Sequence, residues 1–251
     1  MLRAMCTLAI ALRPSPGVAL ALTGNRNEFL RRPASPPRVW PDVPGVLMPR
    51  DDQAGGTWLG LTARGLFVCV TNRRGASPDP SRRSRGLLVV DMLRARDASQ
   101  VRKLMSAIPP SRYNGFHLVF ADGREMAVVV CDGDRLEIHS LVPGEPQLVT
   151  ERSYGAGEGV REAEVMREVA PLLLQPDVTA AALRPPMQRH GPTPLEGACV
   201  HADELGYGTR SSIQLVLRDS SCDFLWTQGR PCTEPATDLS NAASALLGLA
   251  R

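Results

Sequence analysis

Two short apolar runs open the chain, Thr7-Leu8-Ala9-Ile10-Ala11-Leu12 and Val18-Ala19-Leu20-Ala21-Leu22, separated by Arg13-Pro14-Ser15-Pro16-Gly17. Runs of this length around a Pro/Gly turn predict a β-hairpin. A second hairpin is predicted over residues 55–62 and 66–72, where Leu66-Phe67-Val68-Cys69-Val70 is a continuous apolar run suited to a strand buried on both faces. Between the hairpins, Arg32-Pro33-Ala34-Ser35-Pro36-Pro37 and Trp40-Pro41-Asp42-Val43-Pro44-Gly45 are too proline-rich for helix or central strand. They predict an extended surface loop that walls or covers a pocket at the end of the first hairpin. Gly55-Gly56 precedes a strand without the Lys-Ser/Thr of a phosphate loop, so close backbone approach is the expected reason for the pair.

Leu87, Leu88, Val90, Met92 and Leu93, then Val101, Leu104, Met105 and Ile108, give helical spacing over 86–108, stopped by Pro109-Pro110. Strands at 116–120, 126–131 and 136–141, joined by Asp122-Gly123 and Asp132-Gly133-Asp134, form a predicted meander. Residues 160–173 predict an amphipathic helix with Val160, Ala163, Val165, Met166, Val169 and residues 172–174 inward. A last β region carries Ala198-Cys199-Val200-His201, Tyr207-Gly208-Thr209-Arg210 and strands at 212–217 and 222–226. A helix over 237–250, capped by Asp238 or Ser240, closes the chain. Strands and helices in separate blocks favour an α+β layered fold over a doubly wound one, and nothing divides residues 1–251 into two domains.

Composition narrows the function classes. The 251 residues are 43% hydrophobic and 22% charged, with a formal net charge of +3. The local basic runs Arg73-Arg74 and Arg82-Arg83-Ser84-Arg85 read as a solvated loop, and no nucleic-acid motif accompanies them. The apolar stretch at 4–12 is short and broken by Arg13-Pro14, which fits a strand better than a signal peptide. No apolar stretch approaches the roughly 20 residues of a membrane span. The six cysteines, at 6, 69, 131, 199, 222 and 232, read as reduced thiols in a cytoplasmic protein.

The first hairpin also carries candidate chemistry. An antiparallel return sets the end of its second strand, Asn25-Arg26-Asn27-Glu28, beside the start of its first, so Cys6 is expected near Arg26. A thiol of ordinary pKa is only about 3% thiolate at pH 7 and needs a base. A free α-amine is matched to that work, and it exists at Cys6 only when everything before it is removed. Initiation at Met5 followed by its removal would expose Cys6, which makes residues 1–5 a leader or a mis-assigned start. At this level Cys6 has two readings, nucleophile or buried strand residue. Cys199-Val200-His201 places two metal-ligand types on one strand face, but the pair alone reads as core and no metal is assigned to it.

Taken in order, Met5-Cys6, Asn25-Arg26-Asn27-Glu28-Phe29, Arg32-Pro33, Gly55-Gly56-Thr57-Trp58-Leu59-Gly60, Thr71-Asn72 and Tyr207-Gly208-Thr209-Arg210 resemble the NRDE family, that of Transport and Golgi organization 2. The resemblance spans nearly the whole chain. It implies a four-layer αββα sandwich of two mostly antiparallel sheets, like that of the N-terminal-nucleophile hydrolases. By similarity to the cysteine amidases of that superfamily, Cys6 would be nucleophile, Arg26 would lower its pKa, Asn72 and Asn114 would donate to an oxyanion, and Arg210 would anchor the site. Asn25, Asn27, Glu28, Trp58 and Thr71 would contribute to binding. Asn72 and Asn114 have an alternative role in satisfying turn backbone, and Glu28 in pairing with Arg210. The family motif has Asp where this chain has Asn27, which removes a charge from the implied site.

Two functions follow from different classes. One is a cysteine amidohydrolase acting on a non-peptide C–N bond through a thioester. The other is a non-catalytic carrier of haem or an acyl lipid such as acyl-CoA, because the resemblance also implies haem trafficking and secretory-pathway organisation. No cofactor is required by the first; haem, in the second, has His117, His139, His190, His201 or the Cys6 thiolate as candidate ligands. The expected partner is a small molecule in either case.

Overall fold

The computed structural model describes residues 6–75, 78–155 and 159–249. The leader expected over residues 1–5 lies outside them. Among the described residues the chain forms β1 (Thr7–Ser15), β2 (Val18–Phe29), β3 (Ala34–Trp40), β4 (Val43–Asp51), β5 (Leu59–Thr62) and β6 (Phe67–Asn72). Helices α1 (Arg85–Leu93) and α2 (Ala98–Ser106) follow, then β7 (Phe116–Ala121), β8 (Met126–Cys131), β9 (Leu136–Ser140), β10 (Gln147–Val149) and β11 (Tyr154–Gly155). The last third holds α3 (Val160–Leu173), β12 (His201–Ala202), β13 (Tyr207–Arg218), β14 (Cys222–Gln228), β15 (Thr237–Asp238) and α4 (Ser240–Leu247).

The strands make two antiparallel sheets. One runs β11-β10-β1-β2-β13-β14-β15 with β12 attached to β13, and the other runs β3-β4-β5-β6-β7-β8-β9. Alternation along each strand decides what lies between them. Leu8, Ile10 and Leu12 of β1 and Leu20 and Leu22 of β2 face Leu59, Leu61, Phe67, Val119 and Val128 across the sandwich. The opposite face of β1 and β2 carries Ala9, Ala11 and Ala21, whose small side chains let Val165, Val169 and Leu173 of α3 pack closely. On the outside of the second sheet, Leu88, Val89, Met92, Val101 and Met105 of α1 and α2 cover Val68, Leu118, Phe120 and Val129. The result is the expected α+β αββα sandwich. Each fully buried aliphatic side chain contributes about 1.5–3 kcal/mol to it.

Several local expectations change. The proline-rich passage is not a loop but the hairpin β3–β4, on the sheet edge. Pro36 and Pro37 fall where the register shifts between Ser35 and Arg38, a bulged edge position that needs no proline N–H. In α3, Val160 is 78% exposed, Ala163 and Leu174 face solvent, and Arg161 and Glu162 are buried instead. Charge pairing explains the reversal: Arg161 Nη2 lies 2.9 Å from Glu151 and 3.0 Å from Glu162. The final helix is shorter than expected, because residues 237–238 pair with β14. Its Ala243 closes the edge of the inter-sheet core rather than adding to an outer layer.

Candidate functional site

The inner face of the eight-stranded sheet changes character toward one end. Thr7 pairs with Asn25, so the preceding residue, Cys6, faces Arg26. Continuing the period of two past Leu20 and Leu22 gives Gly24, then Arg26 and Glu28; past Leu215 and Ile213 it gives Ser211. Thr209 pairs with Asn27 and Ser211 with Arg26, leaving Arg210 as the extra residue of a β-bulge. A bulge re-aims a side chain, which is how Arg210 and Ser211 both reach the same space.

That space is a cavity of about 530 Å³ between the ends of the two sheets. Cys6, Arg26, Glu28, Trp58, Asn72, Asn114 and Arg210 all line it, with Arg32, Ser211, Trp226 and Gln228 among the residues that sequence reasoning did not assign to the site. Arg32 belongs to the Arg32-Pro33 motif, Ser211 continues the inward alternation from Leu215 and Ile213, and Trp226 and Gln228 continue that from Phe224. Trp58 and Trp226, ring centroids 6.2 Å apart, supply an apolar wall. The segment 78–86, carrying Asp79, Arg82, Arg83 and Arg85, supplies a polar wall, braced by Gly56, where a Cβ would lie 2.3 Å from the Gly86 carbonyl carbon. The expected close approach at Gly55-Gly56 is therefore to the start of α1.

Three predicted binding residues are elsewhere. Asn25 and Asn27 have the opposite parity from Arg26 and point to the other face of the sheet. Asn25 Nδ2 donates to the carbonyls of Met187 and Ala198, both at 2.8 Å, and Asn27 Oδ1 accepts from Thr209 Oγ1 at 2.7 Å. Thr71 is buried and donates to the Thr150 carbonyl at 3.0 Å. Asn114, though it lines the cavity, uses both ends of its amide on the Asp79 backbone, at 2.8 Å each way, and holds the 78–86 loop. Asn72 has no such engagement among the hydrogen bonds of the described residues.

Charge is the cavity's dominant feature. Its described lining holds seven arginines and three carboxylates, a net charge of +4. Most of the arginines are engaged: Arg32 pairs with Asp51 at 2.6 Å, Arg83 with Asp91 at 2.6 Å, and Arg26 Nη2 with Glu28 at 3.5 Å. Arg26 Nη1 and Arg210 Nε are buried without a hydrogen-bond partner. Burial, then the neighbouring Arg26, pulls the Arg210 pKa down, and Glu28 only partly offsets this. Two partly desolvated guanidiniums that repel one another favour an anion between them. The Cys6 thiol is 6% exposed. Burial raises its pKa to about 11, against the opposing pull of Arg26 and the Asn27 backbone N–H. With that value it is a protonated thiol at neutral pH.

None of the four histidines lines the cavity. His117 is buried, its Nδ1 donating to the Thr150 carbonyl at 2.9 Å, and His139 pairs with Glu137 at 3.3 Å. His190 and His201 instead meet Cys199 and Cys232 in a separate cluster on the outer side of the sheet. Reading Cys199-Val200-His201 as an isolated core pair therefore missed two partners. They are far apart in sequence, and no short spacing announces them.

The family model described as Transport and Golgi organisation 2 matches residues 5–225. Relatives include the mouse (Mus musculus) Transport and Golgi organization 2 homolog, 32% identical over 168 residues, and the bovine (Bos taurus) protein, 33% identical over 168 residues. Each match takes in 63% of this chain and 58% of the relative, so the chain spans little more than half the length of those proteins. Among solved structures, the Caenorhabditis elegans N-acylethanolamine-hydrolyzing acid amidase ortholog superposes with a TM-score of 0.59 at 11% identity, covering 86% of this chain and 95% of its own. A variant of the conjugated bile acid hydrolase of Clostridium perfringens gives 0.56 at 12% identity, covering 97% and 95%. At such identities the likeness is one of fold. The ordered motifs, the matched profile and the sandwich agree: the chain belongs to the Transport and Golgi organisation 2 family and has the fold of the N-terminal-nucleophile hydrolases.

Proposed function

We propose that the Cys6 cavity binds a small acyl compound bearing an anionic group and cleaves its C–N bond through a thioester. The observation that carries this reading is the meeting of a sulfur, two unsatisfied guanidinium nitrogens and a tryptophan wall in one 530 Å³ cavity. A carboxylate would sit between Arg26 and Arg210, and the acyl chain would lie along Trp58 and Trp226. The Asn72 amide is the remaining side-chain donor for the carbonyl oxygen. One structural neighbour is named as an N-acylethanolamine-hydrolyzing acid amidase and the other as a conjugated bile acid hydrolase; the first name supports the same bond type and the second supports hydrolysis.

In this proposal Cys6 is the first residue of the working protein. Its amine takes the thiol proton as the sulfur adds to the carbonyl carbon, and the proton passes to the departing amine. Water then hydrolyses the thioester, releasing the carboxylic acid and restoring the thiol. A thiol with a pKa near 11 needs such a base, or the relief of burial that a freed terminus would bring.

N-lauroylglycine tests the reading, with N-lauroylethanolamine as its uncharged counterpart. Expected are a mature mass beginning at Cys6, a trapped acyl adduct on Cys6, and loss of glycine release in Cys6→Ser. Arg210→Met should raise KM about tenfold or more for the charged compound alone, because a charge-assisted bond is worth about 1.5–3 kcal/mol. Material that keeps Met1 and forms no adduct would sink the enzyme reading. The second reading, a carrier of an anionic acyl ligand, is favoured by the buried, protonated thiol. It predicts tryptophan quenching by N-lauroylglycine with no turnover. Haem does not fit this cavity, whose described lining offers one ligand atom, a protonated sulfur, and no imidazole.

A further inference from the structure

The structure assigns a second site, away from the Cys6 cavity: we propose that His190, Cys199, His201 and Cys232 bind one zinc ion. Their ligand atoms all lie within 4.8 Å of one another. Cys199 Sγ is 3.4 Å from Cys232 Sγ and 3.6 Å from His201 Nε2, and His201 Nε2 is 3.0 Å from Cys232 Sγ. The His190 and His201 rings are 4.5 Å apart between centroids. A tetrahedral zinc with bonds of about 2.3 Å to sulfur and 2.0–2.1 Å to nitrogen has ligand-to-ligand edges of about 3.3–3.8 Å. Two of the three measured edges fall within that range and the third, His201 Nε2 to Cys232 Sγ at 3.0 Å, is shorter, so a small outward shift of these two side chains admits an ion.

The backbone positions these four residues independently of any ion. Cys199 N donates to Arg189 O at 2.9 Å, which sets Cys199 beside His190. Residues 199 and 201 are two apart on an extended segment and share a face. Cys232 follows Pro231, whose carbonyl accepts from Arg184 Nη2 at 2.8 Å and from Gln188 Nε2 at 2.7 Å. Gly191 and Gly197 cross so closely that a Cβ on Gly197 would lie 2.6 Å from Gly191 N. Three separate segments thus converge, which hydrophobic packing would not demand of polar, ligating side chains.

Two thiolates and two neutral imidazoles select zinc by softness and geometry. Binding Zn²⁺ releases two thiol protons to solvent and leaves a centre of zero net charge, so burial beside the sheet costs no uncompensated ion. Four protein ligands close the coordination shell, the mark of a structural rather than a catalytic metal. Its effect would be to staple the connection before β12 to the turn after β14. That connection also carries Met187 and Ala198, the two carbonyls held by Asn25.

Full-length protein from zinc-supplemented cells, freed of loose metal by gel filtration, should carry about one zinc per chain by elemental mass spectrometry. The double variant Cys199→Ser/Cys232→Ser should lose about tenfold or more of it, and chelation of the parent should lower its Tm. If the variant fails to fold, cobalt substitution of the parent decides. The ligand-field bands of tetrahedral cobalt with a thiolate charge-transfer band are expected. A parent that holds little zinc and shows no such cobalt spectrum overturns the proposal, as does a Cys199–Cys232 disulfide in protein prepared without air.

Discussion

Asn25 separates the roles that sequence and structure assign to the Asn-Arg-x-Glu segment. The sequence places it with the binding residues; the structure turns it away and uses its Nδ2 to hold two main-chain carbonyls at 2.8 Å. The side chain is fully buried, and two carbonyl oxygens fix the amide orientation, because Oδ1 in their place would be repelled. Asn25→Ala removes two hydrogen bonds, worth about 1 kcal/mol each, and leaves two buried acceptors with part of their desolvation uncompensated. The expected loss is about 2–4 kcal/mol, which in a chain of this size lowers Tm by about 6–12 °C. Urea unfolding followed by tryptophan fluorescence measures it, with an unchanged m-value showing that the unfolded state is not what moved.

Asn25→Asp sharpens the test. A carboxylate there has no proton to offer either carbonyl, and its burial raises its pKa above the unfolded value. The folded state then binds more protons than the unfolded one, so the stability of this variant falls as pH rises from about 4, while Asn25→Ala shows no such slope. Asn25→Ala within about 0.5 kcal/mol of the parent would refute the clamp. A selective rise in KM for N-lauroylglycine, with stability intact, would return Asn25 to the binding site.

Two further predictions concern buried charge. Arg161→Met removes the nearer cation from Glu151 and Glu162, which are 4% and 2% exposed, and leaves them the half-exposed Arg152 at 3.5 and 3.9 Å; it is expected to cost about 3 kcal/mol in urea unfolding. His117 has its pKa lowered to about 4 by burial, against the opposing hydrogen bond to Thr150. The unfolded imidazole, near 6.5, takes up a proton first, so stability is complete above that pH and declines as pH falls from 6.5 toward 4, by up to about 3 kcal/mol. His117→Gln should flatten this limb of the pH–stability curve, and an unaltered limb would assign it to other groups.

Much of the sandwich was legible because its strands obey local rules. Leu8, Ile10 and Leu12 alternate with Ala9 and Ala11, and Asp-Gly turns separate β7, β8 and β9. What failed locally failed for a tertiary reason. Prolines in β3 are tolerated only because the strand is an edge with a bulge. The three-residue β10 and the two-residue β11 have too little sequence to show a period. Arg161 and Glu162 are buried on α3 because Arg161 pairs with Glu162 and with Glu151, a partner that no helical wheel contains.

The site divides along the same line. Cys6 opposite Arg26 follows from hairpin geometry alone, and so, by the same alternation, does the exclusion of Asn25 and Asn27: if Leu20 and Leu22 face the core, every even position to 28 points inward. Grouping those polar residues by adjacency ignored a parity that the sequence already displayed. Arg210 is different. Strict alternation from Ile213 and Ser211 would send it outward with Ser212, and only the bulge opposite Asn27 and Arg26 turns it into the cavity. Such a bulge is a property of strand pairing, not of either strand. The resemblance implied Arg210 where periodicity would have rejected it, and the same pairing explains why a cationic pocket can form at the end of an otherwise aliphatic sheet. The extra residue puts on one face two guanidiniums that strict alternation would place on opposite faces.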